Sequence, residues 1–357
     1  MAEYNLSNAT TTNFSGTVPD FIMDSKALDT DNSSGETTHY FENAVTDLGY
    51  YANDPIVFAA ANGLATWAFG KGWTSENPKT IVEFEHFTGR GNDTFGSIMW
   101  NHEVIKLIVG DAFMEIIRDE KRRIILNLVP ISPERVRIIS ENGRIKRYEV
   151  WNGKTWKKIN NRDMYHSSNK RIGDQIHGTS QLDAIRKTID ARQEAENDER
   201  LIKHRDKALG IVYYKTNNAG KIAFANDQIE QAVKNGEMVG LPEDTATIQP
   251  YPSKSSEDRS NWISSRESFT YSTLGVPRSM ITSDGISEVG GINGHLVFEV
   301  TYGKEVSDEE ANIWNQLARK IRFNRPQSLA PKTQENQTAN TGTTSIQPAE
   351  VGPSLNR

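Results

Sequence analysis

The side chains this chain offers to chemistry are carboxylates, hydroxyls and seven histidines; it has no cysteine. That absence excludes thiolate metal sites and a disulfide scaffold, and it fits a reducing interior. His86 and His102 fall in one stretch, but neither has a second ligand at metal spacing. His102-Glu103 is not followed by a His at the zincin position, so both read as structural or surface residues. Asp29-Thr-Asp31-Asn-Ser33 begins like a calcium loop. Its glycine, Gly35, comes one place late, and Tyr40 holds the final ligand position, so it is rejected. Ser283–Gly294 (SDGISEVGGING) is glycine-rich but has no Lys in a GxxxxGK[ST] frame and no GxGxxG between strand and helix. It is not a nucleotide cradle; it reads as a mobile loop. No Ser sits in a G-x-S-x-G elbow. The carboxylates lie on amphipathic helices with basic partners at i+3 or i+4, as Asp183 does with Arg186 and Lys187, and surface pairing explains them. Nothing in this set demands catalysis, a metal or a cofactor.

The elements that would position these groups are few and long. Ser180–Ala208 contains neither Gly nor Pro. Ser180 serves as N-cap with Asp183 at the capping-box position. Leu182, Ile185 and Ile189 form an apolar stripe at helical spacing, which thins to Ala195, Leu201 and Ile202 among charges of both signs. Such a helix is about 43 Å long at 1.5 Å per residue. It carries too little apolar surface for a core and too much to stand alone, so it needs neighbours from its own chain or from copies of itself. A second helix opens at Ser255-Ser256-Glu257-Asp258, carries Trp262, Ile263, Phe269 and Leu274, and stops at Gly275-Val276-Pro277. Between the two lies a small α/β insert: a strand over Gly210–Thr216, a helix Gln228–Asn235 capped by Asn226 or Asp227, and strands over Met238–Leu241 and Thr245–Tyr251.

Upstream, residues 1–53 read as a loose polar arm with one docked piece around Phe21–Leu28. A helix follows Asn53-Asp54-Pro55 through Phe69, and another spans Ser97–Val109. The strongest local signal is a β-meander: Ala112–Arg118, Ile124–Val129, Arg135–Ser140, Arg144–Trp151 and Lys154–Ile159, with Asn142-Gly143 and Asn152-Gly153 as type I′ hairpin turns. It predicts one antiparallel sheet or barrel. Its basic residues Arg144, Lys146, Arg147, Lys154, Lys157 and Lys158 are either a nucleic-acid patch or the solvated face of the sheet. Downstream, Ser307–Phe323 reads as a helix opened by Ser307-Asp-Glu-Glu310, and residues 325–357 as a disordered tail. The fold class is α+β.

The totals bound the partners. At 357 residues the chain can hold two ordinary domains. A net charge of −6 and a mean hydropathy of −0.62 mean that the molecule as a whole is not a phosphate-neutralising surface. The longest apolar run, Pro55–Phe69, is too short to cross a bilayer, and MAEYNLSNAT has no signal-peptide pattern, so no membrane is expected. Six N-x-S/T matches read as chance in Asn- and Thr-rich stretches.

Four stretches, in order, resemble the portal proteins of tailed double-stranded DNA viruses. Gly110-Asp111-Ala112-Phe113-Met114-Glu115-Ile116-Ile117-Arg118 is similar to the family's strand G-[DN]-A-[FY]-x-E-I-x-R, and Leu128-Val129-Pro130-Ile131-Ser132-Pro133-Glu134-Arg135-Val136 to its L-x-P-[LI]-x-P-x-x-V. Tyr165-His166 followed by Gly178-Thr179-Ser180-Gln181-Leu182 is similar to the approach to its G-x-S-x-L helix. Phe269-Thr-Tyr-Ser-Thr-Leu274-Gly275-Val276-Pro277 is similar to I-[AC]-x-x-[FL]-G-V-P. Two departures stand out. Gln181 occupies a place where the family usually has Pro, and the chain is short after the glycine-rich loop.

The resemblance implies a wing at 54–179, a first stem helix at 180–208, a clip at 209–254, a second stem helix at 255–277, a tunnel loop and return at 278–306 and a crown-side helix at 307–324. It implies a homo-oligomeric ring, a dodecamer, at the portal vertex of a capsid in the virion, made in the host cytoplasm. Double-stranded DNA would pass through it non-specifically. Its partners would be the major capsid protein, the terminase large subunit, which docks at the clip during packaging, and later a head–tail adaptor protein. The portal itself would catalyse nothing. Channel candidates in the tunnel loop are Asp284, Gly285, Ile286, Ser287, Glu288, Val289, Gly290, Gly291 and Asn293. Lys203, Arg205, Lys207, Arg259 and Arg266 are either basic rings facing DNA or ordinary surface counter-charges. Partner-docking candidates on the clip are Lys215, Lys221, Gln228 and Lys234. The competing readings are another head–tail adaptor or assembly protein and, third, a nuclease whose carboxylates hold Mg²⁺.

Overall fold

The computed structural model describes residues 35–328 apart from 122, 207–210, 236–245, 250–256 and 282–287. Phe21–Leu28, the calcium-like stretch 29–33, the strand expected at Met238–Leu241 and the tail beyond 328 lie outside the described residues.

The helical body is set by its caps. Asp54 accepts hydrogen bonds from the Ile56 and Val57 N–H groups, both at 3.0 Å, and Pro55 occupies the first helical position, where no N–H is missed. That starts α2, Pro55–Phe69, preceded by α1, Ala44–Asn53. Asn77 and Pro78 open α3, Pro78–Glu85, in the same way; the sequence reading had no helix there. A reciprocal Thr94–Ser97 capping box opens α4, Phe95–Val109. Leu64, Ile98 and Leu107 from these helices are fully buried in one apolar core.

Two sheets stand where one meander was expected. β3 (Asp111–Arg118) pairs with β4 (Ile125–Ile131) on one side and β8 (Met164–Ser168) on the other. Pro130 deprives β4 of one donor, which suits an edge strand, and after Pro133 the chain begins a second sheet instead of widening the first. That sheet has the order β1-β5-β6-β7, from β1 (Glu36–Tyr40), β5 (Val136–Glu141), β6 (Arg144–Trp151) and β7 (Trp156–Asn160). β1 corrects the arm: residues 36–53 are part of the fold, with β1 antiparallel to β5 and α1 packed on α2 and α4. Asn142 and Gly143 both have left-handed φ, +53° and +70°, as a type I′ turn needs. At Asn152-Gly153 only the glycine does. There the Asn152 side chain accepts from the Lys154 and Thr155 N–H groups and builds a four-residue connection between Trp151 and Trp156. A second, smaller core of Phe113, Ile138, Tyr148 and Ile159 lies between the sheets.

Beyond the sheets, α5 spans Arg186–Asp206, beginning six residues later than the sequence suggests. α7 spans Glu257–Thr273 and packs on α5. Between them β9 (Ile211–Tyr214) pairs antiparallel with β10 (Ala246–Gln249), flanked by α6 (Ala219–Asn235). The cap of α6 is Asn218, whose Oδ1 accepts from the Gly220 and Lys221 N–H groups, not Asn226 or Asp227; the helix is two turns longer than expected.

The largest correction concerns the glycine-rich stretch. Glu288–Gly294 is not loop but the start of α8, Glu288–Leu317, a single helix of 30 residues. His295, Phe298, Tyr302, Glu305, Val306, Glu309, Ile313 and Leu317 form its unbroken buried stripe. The expected separate helix from Ser307 is only the end of α8. Phe323 belongs instead to β11 (Arg322–Phe323), which pairs with β2 (Trp73–Thr74). Packing along that stripe outweighs the cost of about 1 kcal/mol that each helical glycine carries.

Candidate functional site: the root of the long helix and the module it carries

Two residues on the approach to α5, Ser180 and Gln181, are held by the end of α4. A helix C-terminus leaves carbonyls without partners. Gly110 ends α4 with φ +97° and donates to the Lys106 carbonyl. The Leu107 carbonyl accepts the Gln181 N–H at 3.1 Å, and the Ile108 carbonyl accepts the Ser180 hydroxyl. A proline at 181 would lack that N–H, so the departure from the resembling motif has a local reason. Ser180 also caps the incoming turn, its Oγ accepting from the Leu182 N–H.

Gly110 and Gly178 meet backbone to backbone. A Cβ on Gly178 would lie 2.2 Å from the Gly110 carbonyl oxygen, and one on Gly110 2.7 Å from that of Gly178. Nothing but glycine fits either place. Asp111, buried, spans the junction: it accepts from the Gly178 N–H at 2.8 Å and from His166 Nε2 at 2.7 Å, with His177 Nδ1 at 3.3 Å. Burial pushes its carboxyl up, but the attraction and hydrogen bonds of His166 and His177 outweigh it and hold it well below the usual carboxylate range. Burial dominates at His166 and lowers its pKa, which favours the neutral ring. With Nε2–H given to Asp111, Nδ1 is left to accept the Tyr148 hydroxyl at 2.9 Å. Two of the four resembling stretches thus converge on one junction. In the fourth, Gly275 takes φ +72° and the Val276 N–H returns to the Tyr271 carbonyl, which buries Leu274 and Val276 beside Leu182, Ile185 and Ile189.

Two ion pairs then pin α5 to the body. Arg186 reaches Asp47 on α1 at 2.6 Å. Arg192, its side chain 2% exposed, reaches Asp54, the cap of α2. Burial pushes the Asp47 carboxyl up to about 6, against the pull of Arg186. Past Gln193 the ties to the body end among the described residues: Glu196 pairs back to Arg192, Lys203 lies 3.9 Å from Glu199, and Leu201 is 62% exposed.

A second buried network joins α4 to α8. Lys106 lies 2.7 Å from Glu103, 3.0 Å from Glu305 and 3.8 Å from Glu309. Glu309 also accepts from Tyr165 and Ser167 and lies 3.4 Å from His102 Nε2. Burial pushes His102 down to about 4 and Glu103 up. Burial lowers Lys106 as well, but its three carboxylates outweigh that and raise it. His102 is therefore a core residue, as the spacing suggested, and His86 lies at the end of α3 with Nδ1 at 2.6 Å from the Val82 carbonyl.

The sequence-derived candidates are dispersed. Asp284, Gly285, Ile286 and Ser287, with Lys207, lie outside the described residues; Glu288, Val289, Gly290, Gly291 and Asn293 form the first turns of α8. Lys203 and Arg205 are in α5, and Arg259 and Arg266 in α7. The Arg266 guanidinium stands over the rings of Trp262 at 5.0 Å and Phe269 at 5.5 Å. Lys215 follows β9, while Lys221, Gln228 and Lys234 are in α6. Of the meander's basic residues, Lys146 pairs with Glu36 and Glu141, Arg147 with Glu36 and Glu149, and Lys157 with Glu115, so half of that face is neutralised locally. The sequence reading missed the Lys106 network and Arg192. Arg192 had a signal: it continues the stripe of Leu182, Ile185 and Ile189 at helical spacing.

Among the described residues no helix is long and apolar enough to cross a membrane, and no three His, Asp or Glu side chains converge as metal ligands. No curated protein matches the chain in sequence. Solved structures do match in fold. A chain of the neck of the native gene transfer agent particle, computed with C12 symmetry, superposes with a TM-score of 0.64 at 13% identity, covering 82% of this chain and 86% of that one. A chain of the virion of the native gene transfer agent particle gives 0.61 at 14% identity, over 79% and 83%. An HK97-family phage portal protein from Corynebacterium diphtheriae gives 0.51 at 16% identity, over 83% and 96%. The family model for phage portal proteins matches residues 94–292, from the capping box of α4 through both long helices to the first turn of α8. That match spans more than half of the sequence, and the chain belongs to the phage portal protein family.

Proposed function

We propose that this chain is one subunit of a ring, a dodecamer, at a single capsid vertex of a virion or gene-transfer particle. The ring passes double-stranded DNA during packaging and ejection. One observation carries the reading: the family match runs through two long packed helices with a small α/β module between their far ends. In this reading α5 and α7 are the stem, β9–α6–β10 is the clip and the region before them is the wing. The stem exposes Leu201, Trp262 and Phe269, at 62%, 39% and 54%, on helices otherwise rich in charge. Apolar groups in that setting are suited to neighbouring subunits.

The C12 symmetry of the gene transfer agent neck supports the subunit number. The stretch from Asp284 into the first turns of α8 is assigned to the lumen. Lys203, Arg205, Lys207, Arg259 and Arg266 are assigned to weak basic rings on an acidic chain, where DNA slides without being held. The module, through Lys215, Lys221, Gln228 and Lys234, is assigned to terminase during packaging and to a head–tail adaptor afterwards, and the wing to the major capsid protein. The chain's role is architectural, without catalysis of its own.

The test is mass measurement with negative-stain imaging of the purified protein, alone and with its capsid protein. Rings with a central hole are expected. A monomer at every concentration in both conditions sinks the reading. Metal-dependent DNA cleavage lost on changing one or two carboxylates would favour the nuclease instead.

A further inference from the structure

Between the second sheet, β8 and the end of α8 lies an open cavity of about 820 Å³. Its lining includes Arg118, Arg162 and Arg171 and no carboxylate. Neutral hydrogen-bonding groups complete the polar wall: Asn161 on the turn before β8, and Asn315 and Gln316 on α8. Ile145 and Met164 supply an apolar floor.

Among the described residues, two of the three guanidinium groups are not paired with a carboxylate. Arg118 has Asp163 at 3.8 Å, too far for a good hydrogen bond, and otherwise reaches the Arg162 carbonyl. Arg171 donates to the Ser168 hydroxyl. Among the described residues neither Arg162 nor Arg171 makes an ion pair. His166 and Tyr148 in the wall are committed to each other and to Asp111, so they form a surface and not a counter-charge. Even with Asp163 counted against Arg118, two fixed positive charges face one volume.

We propose that this cavity is a binding site for a ligand with linked phosphate groups. A lone carboxylate carries one charge and is satisfied by one guanidinium fork. Three guanidinium forks with the amides of Asn161 and Asn315 around one space match an anion with more charge and more oxygen atoms. The volume exceeds what a single phosphate fills, so the ligand extends beyond one phosphate group. It is either a soluble polyphosphate or nucleotide, or the backbone of a DNA strand. Ile145, only partly buried, offers the apolar contact that a sugar or base needs beside its phosphates. The site is distinct from the module and from the start of α8, and its test does not depend on whether the protein forms a ring.

The experiment is calorimetric titration of the purified full chain, in low salt, with pyrophosphate, a nucleoside triphosphate and a short single-stranded oligonucleotide. Saturable binding of at least one is expected. Arg162→Ala with Arg171→Ala should weaken it by about tenfold or more, as the loss of charged hydrogen bonds predicts. Both residues are exposed, so the fold should survive, and an unchanged melting temperature checks that. Arg144→Ala with Lys158→Ala, the same charge change elsewhere on the sheet, should leave affinity within about twofold, since it removes only screened, long-range attraction. Preference for pyrophosphate and triphosphate places the soluble ligand in the site; preference for the oligonucleotide places DNA there. Absence of saturable binding overturns the proposal. So does an equal loss in the control pair, or an oligoglutamate of equal charge that binds as tightly with the same dependence on Arg162 and Arg171.

Discussion

The body and the proposed stem, α5 and α7, use charge in opposite ways. In the body, charges are buried and closed off: Lys106 among three glutamates, Asp111 between two histidines and a backbone N–H, Arg192 on Asp54. Each such group was taken from water at a cost that its partners offset, so removing a member leaves a buried charge exposed to that cost. On α5 beyond Gln193 most charged residues are exposed, Lys203 lies 3.9 Å from Glu199, and exposed Leu201 interrupts them. On the proposed function α5 and α7 form a surface whose residues acquire consequence through what comes to lie against it. Mutations should therefore lower stability in the first region and alter assembly in the second.

The largest stability effect is expected at Lys106. Lys106→Met keeps the volume of the stem of the side chain and leaves Glu103, Glu305 and Glu309 facing each other in the core. Removing one partner of a buried ionic group costs about 3–5 kcal/mol, read as a fall in the urea midpoint. A loss below about 1 kcal/mol would mean that water reaches these carboxylates, and the contrast with the stem would lose its basis.

A pH series sharpens the same point. His102, pushed down to about 4 by burial, stays neutral in the folded chain while the unfolded chain takes up a proton below about 6.5. Stability is therefore level above pH 6.5 and falls as the pH drops toward 4, by up to about 3 kcal/mol from this group alone. Asp47 acts with the opposite sign. Its carboxyl, pushed up to about 6, holds a proton in the fold that the unfolded chain has already lost above about pH 4. Its contribution is present below pH 4 and disappears as the pH rises through 6. His102→Gln should flatten the acid limb and Asp47→Asn should steepen it, both measured as denaturant midpoints from pH 4 to 7. Matching slopes in all three proteins would remove both groups from the account.

At the junction, Gly178→Ala must push a methyl group into the Gly110 carbonyl and the Asn169 backbone. Backbone strain of this kind costs about 2 kcal/mol, less than an orphaned charge, but it falls where the stem leaves the body. Melting temperature reads the cost. An unchanged melting temperature would show that the root of α5 can shift, and that the stem is less firmly set on the body than the hydrogen bonds to Leu107 and Ile108 imply.

Much of this was legible in the sequence, and the failures are informative. The start of α2, the capped α4, the Asn142-Gly143 turn and the two long helices follow from caps, turn residues and period. The four family-like stretches were visible as strings, but the reason for Gly110, Asp111, His166 and Gly178 was not, because it lies in one contact between segments 68 residues apart, by their numbers. The glycines of α8 read as loop because propensity is local, while the helix is fixed by Phe298, Tyr302, Val306 and Ile313 packing on the body. β1 was lost in the polar arm because an edge strand with alternating exposure carries little apolar signal. The candidates on α5, α6 and α7 stayed scattered because no contact in this chain brings them together among the described residues.

The smallest expected effect on stability is the most telling test of the comparison. Trp262, Arg266 and Phe269 occupy one face of α7, at i, i+4 and i+7, with the guanidinium lying between the two rings. Phe269 is 54% exposed, so Phe269→Ser removes little buried area and one cation–π contact worth about 0.5 kcal/mol at an exposed site. Leu201→Ser on α5 should cost no more, since Leu201 is 62% exposed. If the stem is an inter-subunit surface, the two substitutions together should lower the monomer's melting temperature by no more than about 2–4 °C. They should also shift the ring–monomer equilibrium strongly toward monomer, seen by mass measurement across a dilution series. The reverse pattern, a monomer that melts early and rings that persist, would place these side chains in the chain's own core and erase the distinction between stem and body. Intact rings with unchanged melting would leave the apolar groups of the stem facing solvent or DNA, and would move the subunit interface to the body.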